Sequence, residues 1–146
     1  MKINIEKHNA EWAGQFEQIK AELCTVLKNL NPKIEHIGST SVPNLAAKPI
    51  IDIQVGIENS YDLDKTIKPM INNHYIYYEI YNYEMPNRRL FVGLKDKKLI
   101  RDFQSIYSRG DLIPHKIINQ HRLAHIHIWE YETKDWNRHI AFRDYL

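Results

Sequence analysis

The chain has 146 residues, a formal net charge of +2 and one cysteine. This length predicts one domain with its own core, and one cysteine excludes an intrachain disulfide and a four-cysteine zinc site. The nearly balanced charge argues against binding to nucleic acid, and no apolar segment has the length of a membrane span or a signal peptide core. We therefore expect a single cytoplasmic domain over residues 1–146 without membrane contact. The oligomeric state stays open.

The first half of the chain predicts two helices and two strands. Apolar residues recur every three or four positions after Asn9, which is a suitable helix cap. Cys24 falls within this pattern, which predicts a buried thiol in the core. The predicted elements are a helix from Asn9 to Leu30, a strand over 34–37, a helical turn over 45–47, a strand over 49–55, and a helix that begins at Ser60 and is stopped by Asn72-Asn73.

The second half is richer in aromatic and β-branched residues, which are typical of strands. The segment 96–122 is the hardest to assign, because helical spacing over 99–107 is interrupted by Gly110 and Pro114. The predicted elements are strands over 75–81, 89–94 and 123–129 and a terminal helix capped by Thr133. This order of elements predicts an α+β or mixed α/β domain.

The most informative segment is HIGSTSVPNLAAKPIIDI, which runs from His36 to Ile53. Gly38 and the three hydroxyls of residues 39–41 form a turn of the kind that binds anions through its amides and side chains. Asp52 stands among isoleucines, where a carboxylate is costly unless it is paired or bound to a metal. Two plainer interpretations stay open, namely a connecting polar turn and a structural salt bridge of Asp52.

Two histidines and an arginine provide further candidates. His125 and His127 are two residues apart on a predicted strand, so both imidazoles point to the same face. There they could hold zinc or another transition metal, or contact phosphate. Arg88 could bind a phosphate with two parallel hydrogen bonds. The alternatives are an exposed strand face for the histidines and a solvated strand end for Arg88.

The His36–Ile53 segment resembles the signature of the GrpB family, of the UPF0157 type, and the first helix and the closing strand and helix resemble that family too. The resemblance implies a nucleotidyltransferase-like fold, a mixed sheet with helices packed mainly on one side. The segment over about 96–120 is longer than the usual connection of that family, and a lid, an oligomer contact and a substrate-specific insertion are the interpretations that stay open. In that superfamily a Gly-Ser loop holds a triphosphate, and an Asp-x-Asp strand and a later carboxylate hold two magnesium ions. Here Gly38-Ser39 matches the loop, Asp52 matches the first carboxylate, and Gln54 replaces the second. If the strand of His125 and His127 occupies the position of the third carboxylate, two imidazoles stand in its place.

The leading hypothesis is a nucleotidyltransferase-like enzyme that binds a nucleotide or another phosphorylated small molecule with a divalent metal, magnesium or manganese with zinc as an alternative, and transfers a nucleotidyl group to a small acceptor. Gln54 favours a second hypothesis, a non-catalytic nucleotide- or metabolite-binding domain. A third is a zinc hydrolase built on the two histidines with Asp52 or His36. The expected catalytic and metal-binding residues are Asp52, His125 and His127, and the expected phosphate-binding residues are Gly38, Ser39, Thr40, Ser41, Lys48 and Arg88.

Overall fold

Within residues 5–145, five strands form one mixed sheet. The computed structural model describes residues 5–145. The strands are β1 (Lys33–Ile37), β2 (Ile51–Ile57), β3 (Ile76–Tyr77), β4 (Arg89–Leu94) and β5 (Arg122–Glu130). The helices are α1 (Glu11–Val26), α2 (Ile67–Asn72), α3 (His115–His121) and α4 (Lys134–Tyr145).

The strand order is β1-β2-β5-β4-β3, with β2 and β5 parallel and every other neighbouring pair antiparallel. The predicted mixed α/β class is therefore confirmed. The parallel pair at the centre joins two segments about 70 residues apart in the chain. Its register sets Asp52 opposite His125 and Gln54 opposite His127.

The two faces of the sheet differ because side chains alternate along each strand. One face packs α1 and α2 against apolar residues of β2 and β5, such as Ile53 and Ile126, in the larger core cluster. On the other face, a smaller cluster covers β3 and β4 and includes Ile118 of α3. There Trp136 of α4 accepts, through its main-chain carbonyl, a hydrogen bond from Gln54 of β2. Helices thus lie on both sides, with the longest, α1, on the side of the larger core.

The predicted first helix is present as α1 and begins at Glu11, preceded by Ala10 as the N-cap residue. The expected cap residue Asn9 lies one position earlier, where its Oδ1 accepts a hydrogen bond from the Glu11 amide at 2.8 Å. The prediction for Cys24 was wrong, because its side chain is exposed. Successive residues on a helix are turned by about 100°, and Leu23 and Leu27 already occupy the buried face. Cys24 therefore points away from the core.

Three further predictions need correction. No helical turn forms over 45–47; instead Ala47 exchanges two backbone hydrogen bonds with Glu6, each of 2.8 Å. The strand expected over 75–81 is limited to β3, because Glu79–Tyr83 turns into a 3₁₀ helix. The helix expected from Ser60 begins as a 3₁₀ helix, and the left-handed residue that follows α2 is His74, with φ of 70°, rather than an asparagine.

The segment 96–120 packs against the sheet. The helical spacing expected over 99–107 is realised only as a 3₁₀ helix over Lys97–Asp102. Tyr107 then donates its amide to the Tyr77 carbonyl at 2.9 Å, and Ile118 of α3 is buried in the smaller cluster. Its interpretation as an insertion stays a prediction. Within residues 5–145, none of the helices combines the length and the apolar character needed to cross a bilayer.

Candidate functional site

Asp52, His125 and His127 meet on the face of the sheet opposite α1. The parallel register of β2 and β5 brings Asp52 Oδ1 to 3.5 Å from His125 Nδ1 and 3.9 Å from His127 Nε2. Each residue offers one ligand atom, and these atoms lie within 4.8 Å of one another. Within residues 5–145, no other group of three acidic, cysteine or histidine side chains lies close enough together to hold a metal ion. The structure therefore brings together the three predicted catalytic and metal-binding residues.

Gly38 closes one side of this cluster. Its φ of +73° is unfavourable for any residue with a Cβ. A Cβ built there would lie 2.7 Å from Asp52 Oδ2 and 3.0 Å from Asp52 Cβ. The glycine thus allows the loop backbone to lie directly against the Asp52 carboxylate.

The three hydroxyls of the loop have different roles. Thr40 is buried, donates to the Ile50 carbonyl at 3.2 Å and is itself in contact with His36 Nε2 at 2.9 Å. The Ser41 hydroxyl donates a hydrogen bond to the Gly38 carbonyl at 2.5 Å. These two hydroxyls stabilise the loop, whereas Ser39 lines a neighbouring cavity and its hydroxyl has no hydrogen bond among those described.

His36 lies on the other face of the sheet from the cluster. It pairs with Ile53 in the sheet and stacks on Phe16 of α1, with ring centroids 4.8 Å apart. Burial lowers the pKa of His36 to about 4, so that the imidazole is neutral near pH 7. The structure therefore places His36 apart from the other two histidines. The hypothesis of a zinc hydrolase with His36 as a metal ligand has no support in this geometry.

Two arginines contact the histidines from outside the cluster. Arg122 Nη1 donates to His125 Nε2 at 2.9 Å, and Arg88 Nη1 lies 3.5 Å from His127 Nδ1. Arg88 was a predicted site residue, whereas Arg122 was missed. Arg122 was missed because of a β-bulge. At the bulge the register between β4 and β5 shifts, so that Leu94 pairs with Arg122. The shift turns Arg122 onto the face of His125, where strict alternation would turn it away.

The charges of the cluster follow from its surroundings. Burial alone would raise the pKa of the Asp52 carboxyl, but the imidazoles of His125 and His127 outweigh it and hold that pKa well below its usual range. Burial lowers the pKa of His127 despite the nearby Asp52. At neutral pH the site consists of an ionised carboxylate beside a neutral His127. An arginine faces the outer ring nitrogen of each histidine.

A cavity of about 450 Å³ opens beside Asp52 and His125. Its polar lining includes Ser39, Lys48 and Arg122, which are a hydroxyl and two cations. This volume lies in the range of small-molecule sites. The cavity therefore joins the carboxylate and an imidazole to groups that attract anions.

Gln54 occupies the position of the expected second carboxylate, and it has a structural role. It is fully buried; its Oε1 accepts from the Trp129 indole N–H at 3.1 Å, and its Nε2 donates to the Trp136 carbonyl at 3.3 Å. Both ends of the amide are therefore occupied. Gln54 joins β2, β5 and α4 and adds no ligand to the cluster.

The donor set suits one metal ion rather than two. Zinc binds imidazole nitrogen and carboxylate oxygen at about 2.0–2.2 Å, so two ligands of one ion lie at most about 4.4 Å apart. The distances of 3.5 and 3.9 Å from Asp52 Oδ1 to the two histidines satisfy that limit. A magnesium pair needs several oxygen ligands, and the cluster has one carboxylate. Two imidazoles and a carboxylate favour a transition metal.

Comparison with known proteins identifies the family. Residues 2–146 match the family described as GrpB protein. The chain belongs to the GrpB family. It is 29% identical over 148 residues to the glutamate-rich protein GrpB of Alkalihalophilus pseudofirmus, covering 99% of this chain and 71% of that protein. It is also 29% identical over 145 residues to the UPF0157 protein YqkA of Bacillus subtilis, covering 99% of this chain and 35% of that protein.

A solved structure supports the fold. The crystal structure of the conserved protein GrpB from Enterococcus faecalis matches 98% of this chain and 72% of that chain, with a TM-score of 0.70 and 31% sequence identity. The GrpB domain with its mixed sheet is therefore shared with this relative. The chain spans only about a third of the length of YqkA.

Proposed function

We propose that this GrpB protein binds a phosphorylated small molecule of the nucleotide class together with one divalent transition-metal ion. The observation that carries the proposal is the convergence of Asp52, His125 and His127 beside a cavity lined by Lys48 and Arg122. A metal cluster and an anion-attracting pocket that share Asp52 and His125 match the chemistry of a metal-bound phosphate ligand.

The cations of the pocket are suited to phosphate. Arg122 offers a planar fork of donors that can bind two phosphate oxygens at once, and Lys48 offers a compact charge. Ser39 adds a hydroxyl on the same wall. Burial lowers the pKa of Arg122, yet a guanidinium keeps its proton at neutral pH. These residues would orient the phosphate, while Asp52, His125 and His127 would hold the ion.

A divalent ion in this cluster would polarise a phosphoryl oxygen and lower the pKa of bound water. The buried hydrogen bonds of Gln54 speak against a second ion, because its amide is engaged with Trp129 and Trp136. The proposal is therefore a single-metal site. Transfer of a nucleotidyl group to a small acceptor stays a prediction from the family resemblance, and it would need a mechanism that works with one ion.

Thermal unfolding with and without ligands tests this proposal. We expect Zn²⁺ or Mn²⁺ with a nucleoside triphosphate, at about 100 times Kd, to stabilise the fold by about 2.7 kcal/mol and raise Tm by about 5–10 °C. Asp52→Asn should lose this shift while keeping the fold. Asp102→Asn, which changes an exposed carboxylate outside the cluster, should keep it. An equal shift in the Asp52 variant, or no shift in the native protein, would contradict the proposal.

The products of an incubation separate the possible activities. Pyrophosphate released only when an acceptor is present would support nucleotidyl transfer. Release of inorganic phosphate or a nucleotide without an acceptor would support hydrolysis at a single metal. Binding without any product would support the non-catalytic domain.

A further inference from the structure

In both histidines of the cluster, the ring nitrogen that points away from Asp52 faces an arginine. This environment is unusual for metal ligands, because the outer nitrogen of a metal-binding histidine usually faces a hydrogen-bond acceptor. The nitrogen of His125 that points away from Asp52 is Nε2, and Arg122 Nη1 lies 2.9 Å from it. The corresponding nitrogen of His127 is Nδ1, with Arg88 Nη1 at 3.5 Å. The shorter contact makes Arg122 the stronger partner.

These contacts fix where the imidazole proton of His125 lies. A guanidinium only donates hydrogen bonds, so the ring nitrogen that faces it must accept. In the neutral ring, the proton of His125 is then on Nδ1, 3.5 Å from Asp52 Oδ1. Asp52 and Arg122 therefore favour the same tautomer, with the N–H directed at the carboxylate.

Metal binding at the same cluster requires the opposite tautomer. A metal at Nδ1 displaces the proton from that nitrogen, and the neutral ring then carries it on Nε2. Histidine ligands usually donate this second N–H to a carboxylate, a carbonyl or water. Here it would face the N–H groups of Arg122, which cannot accept it. Arg122 in its present position therefore opposes metal binding through His125.

Arg122 is also incompletely paired. Its Nε is buried and lacks a hydrogen-bond partner within residues 5–145, and the side chain lines the cavity with Lys48 and Ser39. A buried charged donor without a partner is costly. A phosphate in the cavity would supply acceptors for this guanidinium and draw it away from His125.

We propose that Arg122 couples the two ligands of the cleft, so that phosphate in the cavity releases His125 for the metal and each ligand strengthens the binding of the other. This inference rests on the proposed function and adds its regulation. Without an anion, Arg122 holds His125 in the tautomer that weakens binding of the ion. With an anion, the guanidinium binds phosphate oxygens instead. Reciprocity follows, because a coupling free energy acts equally on both affinities.

Metal titration of matched variants tests the coupling. Co²⁺, whose visible absorption reports ligation, is titrated into the full chain without phosphate, with Arg122→Met and Lys48→Met compared with the native protein. Both variants remove one positive charge from the lining of the same cavity. If Arg122 opposes the metal through His125, Arg122→Met should bind Co²⁺ about tenfold more tightly than the native protein. Lys48→Met should show a smaller gain, from charge alone.

Inorganic phosphate provides the second half of the test. It should tighten Co²⁺ binding to the native protein by about tenfold, and Arg122→Met should lose most of that gain. Co²⁺ binding by Arg122→Met that equals or is weaker than native binding without phosphate would overturn the coupling and leave the proposed metal site intact. A native protein that binds no Co²⁺ under either condition would overturn the proposed function as well.

Nitrogen-15 NMR of the histidine side chains tests the same inference in the native protein, without any variant. In the metal-free, phosphate-free protein, His125 should carry its proton on Nδ1, with Nε2 unprotonated. Phosphate alone should shift the His125 signals, because Arg122 leaves Nε2. A proton on Nε2 of the free protein would overturn the proposal.

Discussion

Asp52 and Gln54 lie two residues apart on the same strand and point to the same face of the sheet, yet their surroundings differ completely. Gln54 is fully buried, with both ends of its amide hydrogen-bonded to Trp129 and Trp136. Asp52 keeps about a third of its side chain exposed and borders the cavity. α4 covers one of these neighbours and leaves the other open.

This comparison shows how a single strand can serve both stability and binding. A buried amide with every partner in place contributes to the fold and has no capacity left for a ligand. A partly exposed carboxylate beside imidazoles keeps lone pairs available. The difference between the two residues depends on which tertiary element covers each side chain. Substitutions around one of them should therefore leave the role of the other unchanged.

The largest effect on stability is expected for Gln54→Ala. It removes buried atoms and leaves the Trp129 indole N–H without its acceptor, so the free energy of unfolding should fall by about 3–4 kcal/mol. Denaturant unfolding measures this loss, and metal titration of the folded variant should give the native affinity. A loss below about 1 kcal/mol, or a lost metal affinity in a folded variant, would contradict the structural role of Gln54.

Gly38→Ala should have the next largest effect. The new Cβ would lie 2.7 Å from Asp52 Oδ2 in a backbone conformation that alanine disfavours. We expect a loss of about 2–3 kcal/mol in unfolding free energy together with weaker metal binding, because the carboxylate must move. Denaturant unfolding and Co²⁺ titration measure the two effects.

Gly14→Ala is the matched control for this substitution. Gly14 lies in α1, and nothing lies within 4 Å of a Cβ built there. Alanine at this helical position should stabilise the protein by about 0.5–1 kcal/mol and leave metal binding unchanged. Equal behaviour of the two alanine variants would remove the claim that Gly38 packs against the site.

His36 is a buried polar residue on the apolar face of the sheet. Burial lowers its pKa to about 4, below the value of about 6.5 in an unfolded chain, so the unfolded state binds more protons between these values. Stability should therefore fall as pH decreases from about 6.5 to 4. Near pH 5, His36→Gln should reduce the slope by about 1.4 kcal/mol per pH unit. Unfolding curves at several pH values measure this, and an unchanged slope would contradict it.

Much of the candidate site could be predicted from the sequence. Period-two spacing places His125 and His127 on one face, and the isolated carboxylate in an apolar strand marks Asp52. Their convergence depends only on β2 and β5 being neighbours in register. The resemblance to the GrpB family indicated a mixed sheet that could bring the two segments together.

The remaining features depend on contacts between distant segments. Gln54 meets its partners 75 and 82 residues away, so the sequence showed that a carboxylate was absent without showing the role of the amide. Arg122 reaches His125 through a β-bulge that changes the strand alternation. Cys24 fits a helical apolar pattern, but its neighbour Leu23 takes the buried position. Local periodicity cannot determine any of these three.

Anomalous diffraction from crystals grown with Mn²⁺ or Zn²⁺ would locate bound metal ions in the cleft. We expect one metal ion per chain, bound by Asp52, His125 and His127, with no second ion near Gln54. Two ions in the cleft, or an ion bound elsewhere while these three residues stay unliganded, would contradict it.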